Sequence, residues 1–492
     1  MRHFDIRKMK RRQFLKLMGS IAATPLMSQF SELAYGAGPF TDYRALVCVF
    51  LFGGNDAHNM IVPLDGRYAT YAANRGPLAL PQADLVANSV TDPVQGNFGL
   101  HPRMTQSRTL FNAGKLAVIS NVGILLRPTT KADYTAKNQL PPQLFSHSDM
   151  QDHWQTAFPQ APVNDGWGGR LADLIQSANT GQLSVSISTA SSGVFLKGNS
   201  AVAHQIGTYN AASPNTPIVQ RIRAWRDWDT GANGAQPQNV YQNAITMPRA
   251  NVLEDQFGDV ATRSVTINDF ILSSLYNGPD VSGNYTQKIP ITTVFPAGNP
   301  LAAQLRSVAM MIAARQALGV KRQIFFVSVG GSFDNHSDQF DASGSALQPP
   351  VGAPLILYGK HADMLSQVDA GLKAFYDATV ELGVQDKVTT FTESDFGRTL
   401  TSNGKGSDHG WGSHHLVMGG ATLGKKIYGT FHNMQVGAGN PVDAGQGRLI
   451  PAYSVDQYAA TLGKWMGANA SDLNTVFPNL HNFPTTDLGF LA

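Results

Sequence analysis

Residues 45–60 read ALVCVFLFGGNDAHNM. Eight apolar residues in a row, rich in β-branched and aromatic side chains, predict a strand covered on both faces. The run stops at Gly53 and Gly54, and Asn55, Asp56, His58 and Asn59 follow at once. A carboxylate and an imidazole thus arrive at the carboxyl end of a buried strand, where open α/β sheets place their ligands. Cys48, the chain's one cysteine, lies inside the run and reads as a small buried hydrophobe, with no disulfide possible within the chain. Any metal would therefore be held by oxygen and nitrogen.

Comparable runs recur: KLAVISNVG (115–123), LSVSIS (183–188), QIFFVSVGG (323–331) and KVTTFTES (387–394). Between two of them, Leu365, Val368, Leu372, Phe375, Thr379 and Leu382 step by three and four, as on one helix face. Leu301, Leu305, Val308 and Ile312 do the same. Strand, helix and strand at this spacing require right-handed crossovers and a mostly parallel sheet, so the fold expected is a three-layer α/β/α sandwich. Residues 196–300 break the rhythm with SPNTPIVQ, GANGAQPQ and FPAGNP around helical patches such as VTINDFILSSLYN, and read as an insertion or cap. No P-loop or dinucleotide fingerprint follows a strand.

The 492 residues carry 37 Lys and Arg against 34 Asp and Glu, but seven of the bases and only two of the acids lie in residues 1–36. Residues 37–492 are near neutral, which argues against a nucleic-acid partner. Residues 1–36 have a basic front, a mildly apolar middle and small residues at the end. RRQFLK (Arg11–Lys16) resembles a twin-arginine export signal, which predicts a periplasmic or secreted protein and the twin-arginine translocase as its export partner. The apolar stretch is short and holds Lys16 and Ser20, so no stable membrane span is expected. That route carries folded proteins, often with a metal or cofactor already bound.

Several strand ends carry the same chemistry. SFDNHSDQ follows 323–331 and supplies Asp334, His336 and Asp338; ESDFGRT closes 387–394 and supplies Glu393, Asp395 and Arg398; GKGSDHGWGSHH (404–415) supplies Asp408, His409, His414 and His415. Each alone reads equally well as a turn or a helix cap. Parallel topology brings them to one rim, and a mixed carboxylate and imidazole set suits Zn²⁺, Mn²⁺ and similar divalent ions. LFSHSDMQDHWQ (144–155) adds Ser146, Ser148, His147 and His153 at an expected helix start. A hydroxyl there can cap the helix, or act as a nucleophile if a divalent ion lies beside it.

FLFGGNDAHNMIVPL, FSHSDMQDHWQ, GGSFDNHSDQ and ESDFGRTLTSNGKGSDHGWGSHHLVMGG occur in the order of a bacterial, twin-arginine-exported family, the domain of unknown function 1501. The chain resembles it over nearly all its length after the signal, least around 200–300. That family is grouped with the alkaline phosphatase and sulfatase superfamily. The resemblance implies an alkaline phosphatase-like fold with two divalent metals (Zn, Mn, Mg or Ca) at the rim and a Ser, Thr or modified Cys nucleophile. Asp56, Asp334, His336, Asp395 and His409 match metal positions, Ser146 the nucleophile, and Arg398 or His147 an assisting role. Three departures stand out. Phe396 follows Asp395 where a His is usual, so His147, Asp408 or His414 would have to substitute, or Asp408–His409 is itself the pair, completed by His414 or His415. The family motif usually has Glu where this chain has Asp395, and the sulfatase signature C/S-x-P-x-R is absent. The implied activity is metal-dependent hydrolysis of a small-molecule or glycan phosphate or sulfate ester. The alternatives are a non-enzymatic binding or envelope-assembly protein on the same fold and, more weakly, a phosphotransfer role.

Overall fold

A computed structural model describes residues 40–181, 183–190, 193–219, 243–329, 333–343 and 349–492. The expected signal peptide lies outside them. Among the described residues no helix is long and apolar enough to cross a membrane.

The apolar run at 45–52 forms most of β1 (Arg44–Leu51). The other strands are β2 (Ile61–Pro63), β3 (Ser89–Asp92), β4 (Gly96–Leu100), β5 (Leu116–Gly123), β6 (Ser186–Ser188), β7 (His204–Gln205), β8 (Arg322–Val329), β9 (Val388–Ser394), β10 (Arg398–Ser402), β11 (Ser407–His409), β12 (Ser413–Gly419), β13 (Ile427–Tyr428) and β14 (Tyr453–Ser454). The main sheet runs β13-β5-β12-β9-β1-β8-β6-β7, with β14 also paired to β5. β1 lies parallel to both β8 and β9, with Leu51 opposite Val329 and Ser394. Only β12 runs against the rest, antiparallel to β5 and β9.

Pleating makes β1 a two-faced strand. Ala45, Val47, Val49 and Leu51 enter one buried cluster, and Leu46, Cys48 and Phe50 enter the other. Each fully buried Val, Leu, Ile or Phe on such a strand contributes about 1.5–3 kcal/mol relative to exposure, so both faces need a helix layer. The first face is covered by α3 (Thr105–Asn112), α7 (Pro300–Ala313) and α8 (Lys360–Glu381), after the short α1 (Ala57–Met60) and α2 (Arg67–Arg75) at the rim. The second is covered by α4 (His147–Thr156), α5 (Trp167–Ile175) and α9 (Val455–Met466). The result is the three-layer α/β/α sandwich with a mostly parallel sheet that the strand pattern predicts. In α8, Leu365, Val368, Leu372, Phe375 and Thr379 are buried, as their spacing requires. Of the segment from 196 to 300, the described parts include β7, which extends the sheet edge, and α6 (Val252–Leu275).

Because β12 is reversed, its first residue, Ser413, stands at the carboxyl end of the other strands, opposite Val122 of β5. The β10–β11 hairpin, which pairs Arg398 with His409, therefore sits over the same rim.

Candidate functional site

The rim is assembled from the ends of β1, β8 and β9, the start of α4 and the β10–β11 hairpin. Gly53 and Gly54 follow β1 with φ of 111° and 82°, conformations that side-chain-bearing residues rarely adopt. A Cβ on Gly53 would strike the backbone at Phe333–Asp334, and one on Gly54 would strike the Phe396 ring. The paired glycines therefore let the β1 and β8 loops close on each other. Ser394 Oγ donates to Leu51 O (2.7 Å) and accepts from the Asn55 N–H (2.8 Å), tying β9 to the same turn.

His147, Asp334 and His409 converge here, with one ligand atom of each within 4.8 Å of the others. His147 Nε2 stands 3.3 Å from Asp334 Oδ2, and His409 Nε2 stands 4.0 Å from Asp334 Oδ1. The partners on the far side of each ring settle which nitrogen holds the proton. His147 Nδ1 lies 2.7 Å from the Asp395 carboxylate, and His409 Nδ1 lies 2.7 Å from the Phe145 carbonyl. Both partners only accept, so each Nδ1 carries a hydrogen, and in the neutral ring each Nε2 turns a lone pair toward Asp334. His147 Nε2 is buried without a hydrogen-bond partner. Two lone pairs against a carboxylate are repulsive unless a proton or a cation lies among them.

Arg398 secures the carboxylate. It is 1% exposed, and its Nη2 donates to Asp334 Oδ1 at 2.7 Å. Its other donors reach the carbonyls of Gly54 (2.9 Å), Ser407 (3.0 Å), Phe333 (3.2 Å) and Gly53. Burial works against the charge of Asp334, but the hydrogen bond and charge of Arg398 outweigh it and hold its carboxyl below the usual range. Burial pushes the His409 imidazole down, which favours the neutral ring a metal needs.

Of the residues singled out in the sequence, His147, Asp334, Asp395, Arg398 and His409 are thus brought together. Asp395 stands behind His147: fully buried, it accepts from His147 Nδ1, the Gln151 amide (2.8 Å) and the Gly53 N–H (3.1 Å). Phe396, in place of the usual His, packs its ring 4.8 Å from both His147 and His409. His336 and Asp408 pair with each other at 3.3 Å, with the His336 ring 5.4 Å from that of His409. Ser146 precedes α4, and its Oγ donates to Asp149 Oδ2 at 2.5 Å.

Asp56 and His414 stand apart from this group. Asp56 is 1% exposed and ion-paired to the fully buried Arg75, with the Gln339 amide on the same oxygen. His414 faces His58 and His432 in a second, wholly buried group. His415 points the other way, its ring 4.7 Å from Trp154. Consecutive residues of a strand face opposite sides, so the two histidines cannot serve one site. Sequence reasoning missed Gln151, Arg75, Gln339 and His432; a charged residue in the last turn of the short α2 was the only available signal, and it reads as a helix C-terminal base.

The fold and rim define a three-layer α/β protein with an imidazole–carboxylate centre at the carboxyl edge of its sheet. The chain belongs to the family DUF1501, described as "Protein of unknown function", whose model matches residues 43–446. No curated protein matches the sequence. Among solved structures, it overlaps Ps i-CgsB in complex with k-i-k-neocarrahexaose at 13% identity, over 91% of this chain and 75% of that one, with a TM-score of 0.34. It overlaps the PsFucS1 sulfatase from Pseudoalteromonas sp. at 12% identity, over 95% and 75%, with a TM-score of 0.35. The soluble domain of lipooligosaccharide phosphoethanolamine transferase A from Neisseria meningitidis follows at 12%, over 88% and 90%, with a TM-score of 0.29. At these scores none of them bears on the site.

Proposed function

We propose that the protein is an exported, metal-dependent hydrolase of phosphate or sulfate esters, working at the His147–Asp334–His409 rim. The observation that carries this reading is the pair of Nε2 lone pairs aimed at one carboxylate, each fixed by an acceptor on its Nδ1. Two imidazoles oriented by acceptors on Nδ1 and a carboxylate with a depressed pKa fit a divalent ion. His147, Asp334 and His409 would hold it, with Asp395 and the Phe145 carbonyl orienting the rings. The ion would supply Lewis-acid stabilisation of a charged ester oxygen.

The protein's own groups do the rest. Ser146 is the proposed nucleophile: Asp149, which accepts its hydroxyl hydrogen, would take that proton as Oγ bonds to phosphorus or sulfur and return it to the alcohol whose ester bond breaks, after which water would displace the group from Oγ. The hydroxyl adjoins His147 in the chain, which keeps it at the site. Arg398, buried and with each of its three guanidinium nitrogens bonded to a protein acceptor, positions Asp334 instead of touching substrate. Partly exposed Arg448 donates through Nε to the His409 carbonyl (2.8 Å) and supplies a cation beside the rim for an anionic ester. Residues 1–36 would direct export through the twin-arginine translocase to the periplasm or beyond.

The test is hydrolysis of chromogenic phosphate and sulfate esters by protein loaded with Zn²⁺ or Mn²⁺, compared with Asp334→Asn and His409→Ala. Loss of turnover in both variants supports the reading, and turnover that survives in both refutes it. A second reading, a metal-binding protein without catalysis, is favoured by the burial of Arg398, whose three guanidinium nitrogens all donate within the protein; it requires metal uptake with no turnover of either ester.

A further inference from the structure

The superfamily resemblance implies two divalent ions. We infer that this chain holds one, at the rim, and that the buried guanidinium of Arg75 takes the place of the second. The inference rests on the rim reading above and concerns the residues the resemblance would assign to the other ion.

Asp56 is the first of them. Its Oδ2 accepts from Arg75 Nη2 and from Gln339 Nε2. Arg75 is fully buried, and its remaining donors are fixed: Nε to Asn59 Oδ1 at 3.1 Å, Nη1 to the carbonyls of Thr399 (3.0 Å) and Leu400 (3.2 Å). The guanidinium therefore cannot swing aside. Its charge already balances Asp56 in a site shut off from water, and a divalent ion beside it would meet a fixed like charge at low dielectric. Among the described residues, Asp56 joins no set of three ligating side chains.

The remaining candidate is the buried group of His58, His414 and His432, which passes on distance alone. Hydrogen bonding decides against it. His414 Nδ1 accepts the Asn121 N–H at 3.0 Å, so the neutral ring carries its proton on Nε2, the nitrogen without a partner. His414 thus presents an N–H where a ligand must present a lone pair, the reverse of His147 and His409. His58 leaves Nδ1 buried and unpartnered. His432 leaves both nitrogens unpartnered, one N–H and one lone pair when neutral. An N–H fixed on His414 beside unpartnered nitrogens of His58 and His432 suits a bound water, not a cation. Among the described residues no carboxylate joins the group as a ligand.

The experiment is a metal count on the exported form of the chain, equilibrated with excess Zn²⁺ or Mn²⁺, freed of unbound ion and analysed by mass spectrometry. One equivalent per chain is expected. It should vanish in His409→Ala and persist in His432→Phe. Because Asp56→Asn alone would strand the Arg75 charge, the double variant Asp56→Leu/Arg75→Met is used for the other arm, and it too should keep the equivalent. Two equivalents in the unaltered protein would overturn the inference and leave the rim reading intact. One equivalent that survives His409→Ala but is lost in His432→Phe would move the ion to the buried group and overturn it. No bound metal in a folded chain would overturn this inference and the rim reading together.

Discussion

Nδ1 of His147 lies 2.7 Å from Oδ2 of Asp395, and that bond aims the opposite nitrogen of the ring at Asp334. Asp395 is fully buried on the end of β9, so its grip on the ring does not compete with solvent.

Asp395→Asn is therefore expected to leave the fold in place and to weaken metal binding about 10- to 100-fold, the usual loss when an orienting carboxylate behind a ligating histidine is removed. Competition against a chromophoric chelator measures it. An unchanged affinity would mean that Asp395 does not set the tautomer of His147.

Ser146 and Ser148 offer a controlled comparison, since their hydroxyls lie 3.3 Å apart and both approach Asp149. Ser146 Oγ is the one at 2.5 Å from that carboxylate, and Ser148 Oγ is at 3.4 Å. Ser146→Ala should lower kcat on the ester substrate by roughly 10²-fold or more, as expected for loss of a nucleophile. Ser148→Ala should stay within a few-fold. Equal effects of the two changes would remove Ser146 from the nucleophile position.

The buried Arg75–Asp56 pair makes a prediction about stability. Removing one partner strands a charge with no water to receive it, at a cost of about 3–5 kcal/mol. Arg75→Met should therefore be strongly destabilising in urea denaturation, whereas Asp56→Leu/Arg75→Met should recover much of the loss. A double variant as unstable as the single one would show that packing, not charge, makes Arg75 matter.

How much of this the sequence displays depends on the range of the cause. The buried strands show themselves because a run such as 45–52 needs only its own pattern, and the face of α8 shows itself through its period. That Asp334 and His409 share a rim follows from parallel topology. The fate of Asp56 does not, because its partners Arg75 and Gln339 are 19 and 283 residues away and Arg75 ends a helix instead of following a strand. His414 and His415 were equally ambiguous for a different reason. As part of a loop both could turn to one ion, and only the pairing of β12 with β5 and β9 makes them a strand whose pleat sends them to opposite faces.

The last prediction concerns pH and the core of the sheet, away from the rim. Glu393 is wholly buried on β9, with the Cys48 Sγ 3.6 Å from its Oε2. Burial raises its carboxyl from 4.5 to about 8, so the native state holds a proton that the unfolded chain releases above its ordinary pKa. A raised pKa contributes stability that is fully present below the unfolded value and is lost as pH rises through the folded one. Asp456, pushed up by burial to about 7, acts in the same sense. His58 and His361, pushed down by burial to about 4, oppose it by destabilising the fold as pH falls below 6.5. Replacing Glu393 by Gln deletes one proton-linked contribution, so the variant should gain on the parent protein by up to about 1.4 kcal/mol per pH unit between about pH 5 and about pH 8. Urea denaturation at both ends of that window measures the difference. Parallel stability profiles for the two proteins would show that Glu393 is ionised in the folded state, and that its charge is met by a partner other than Cys48.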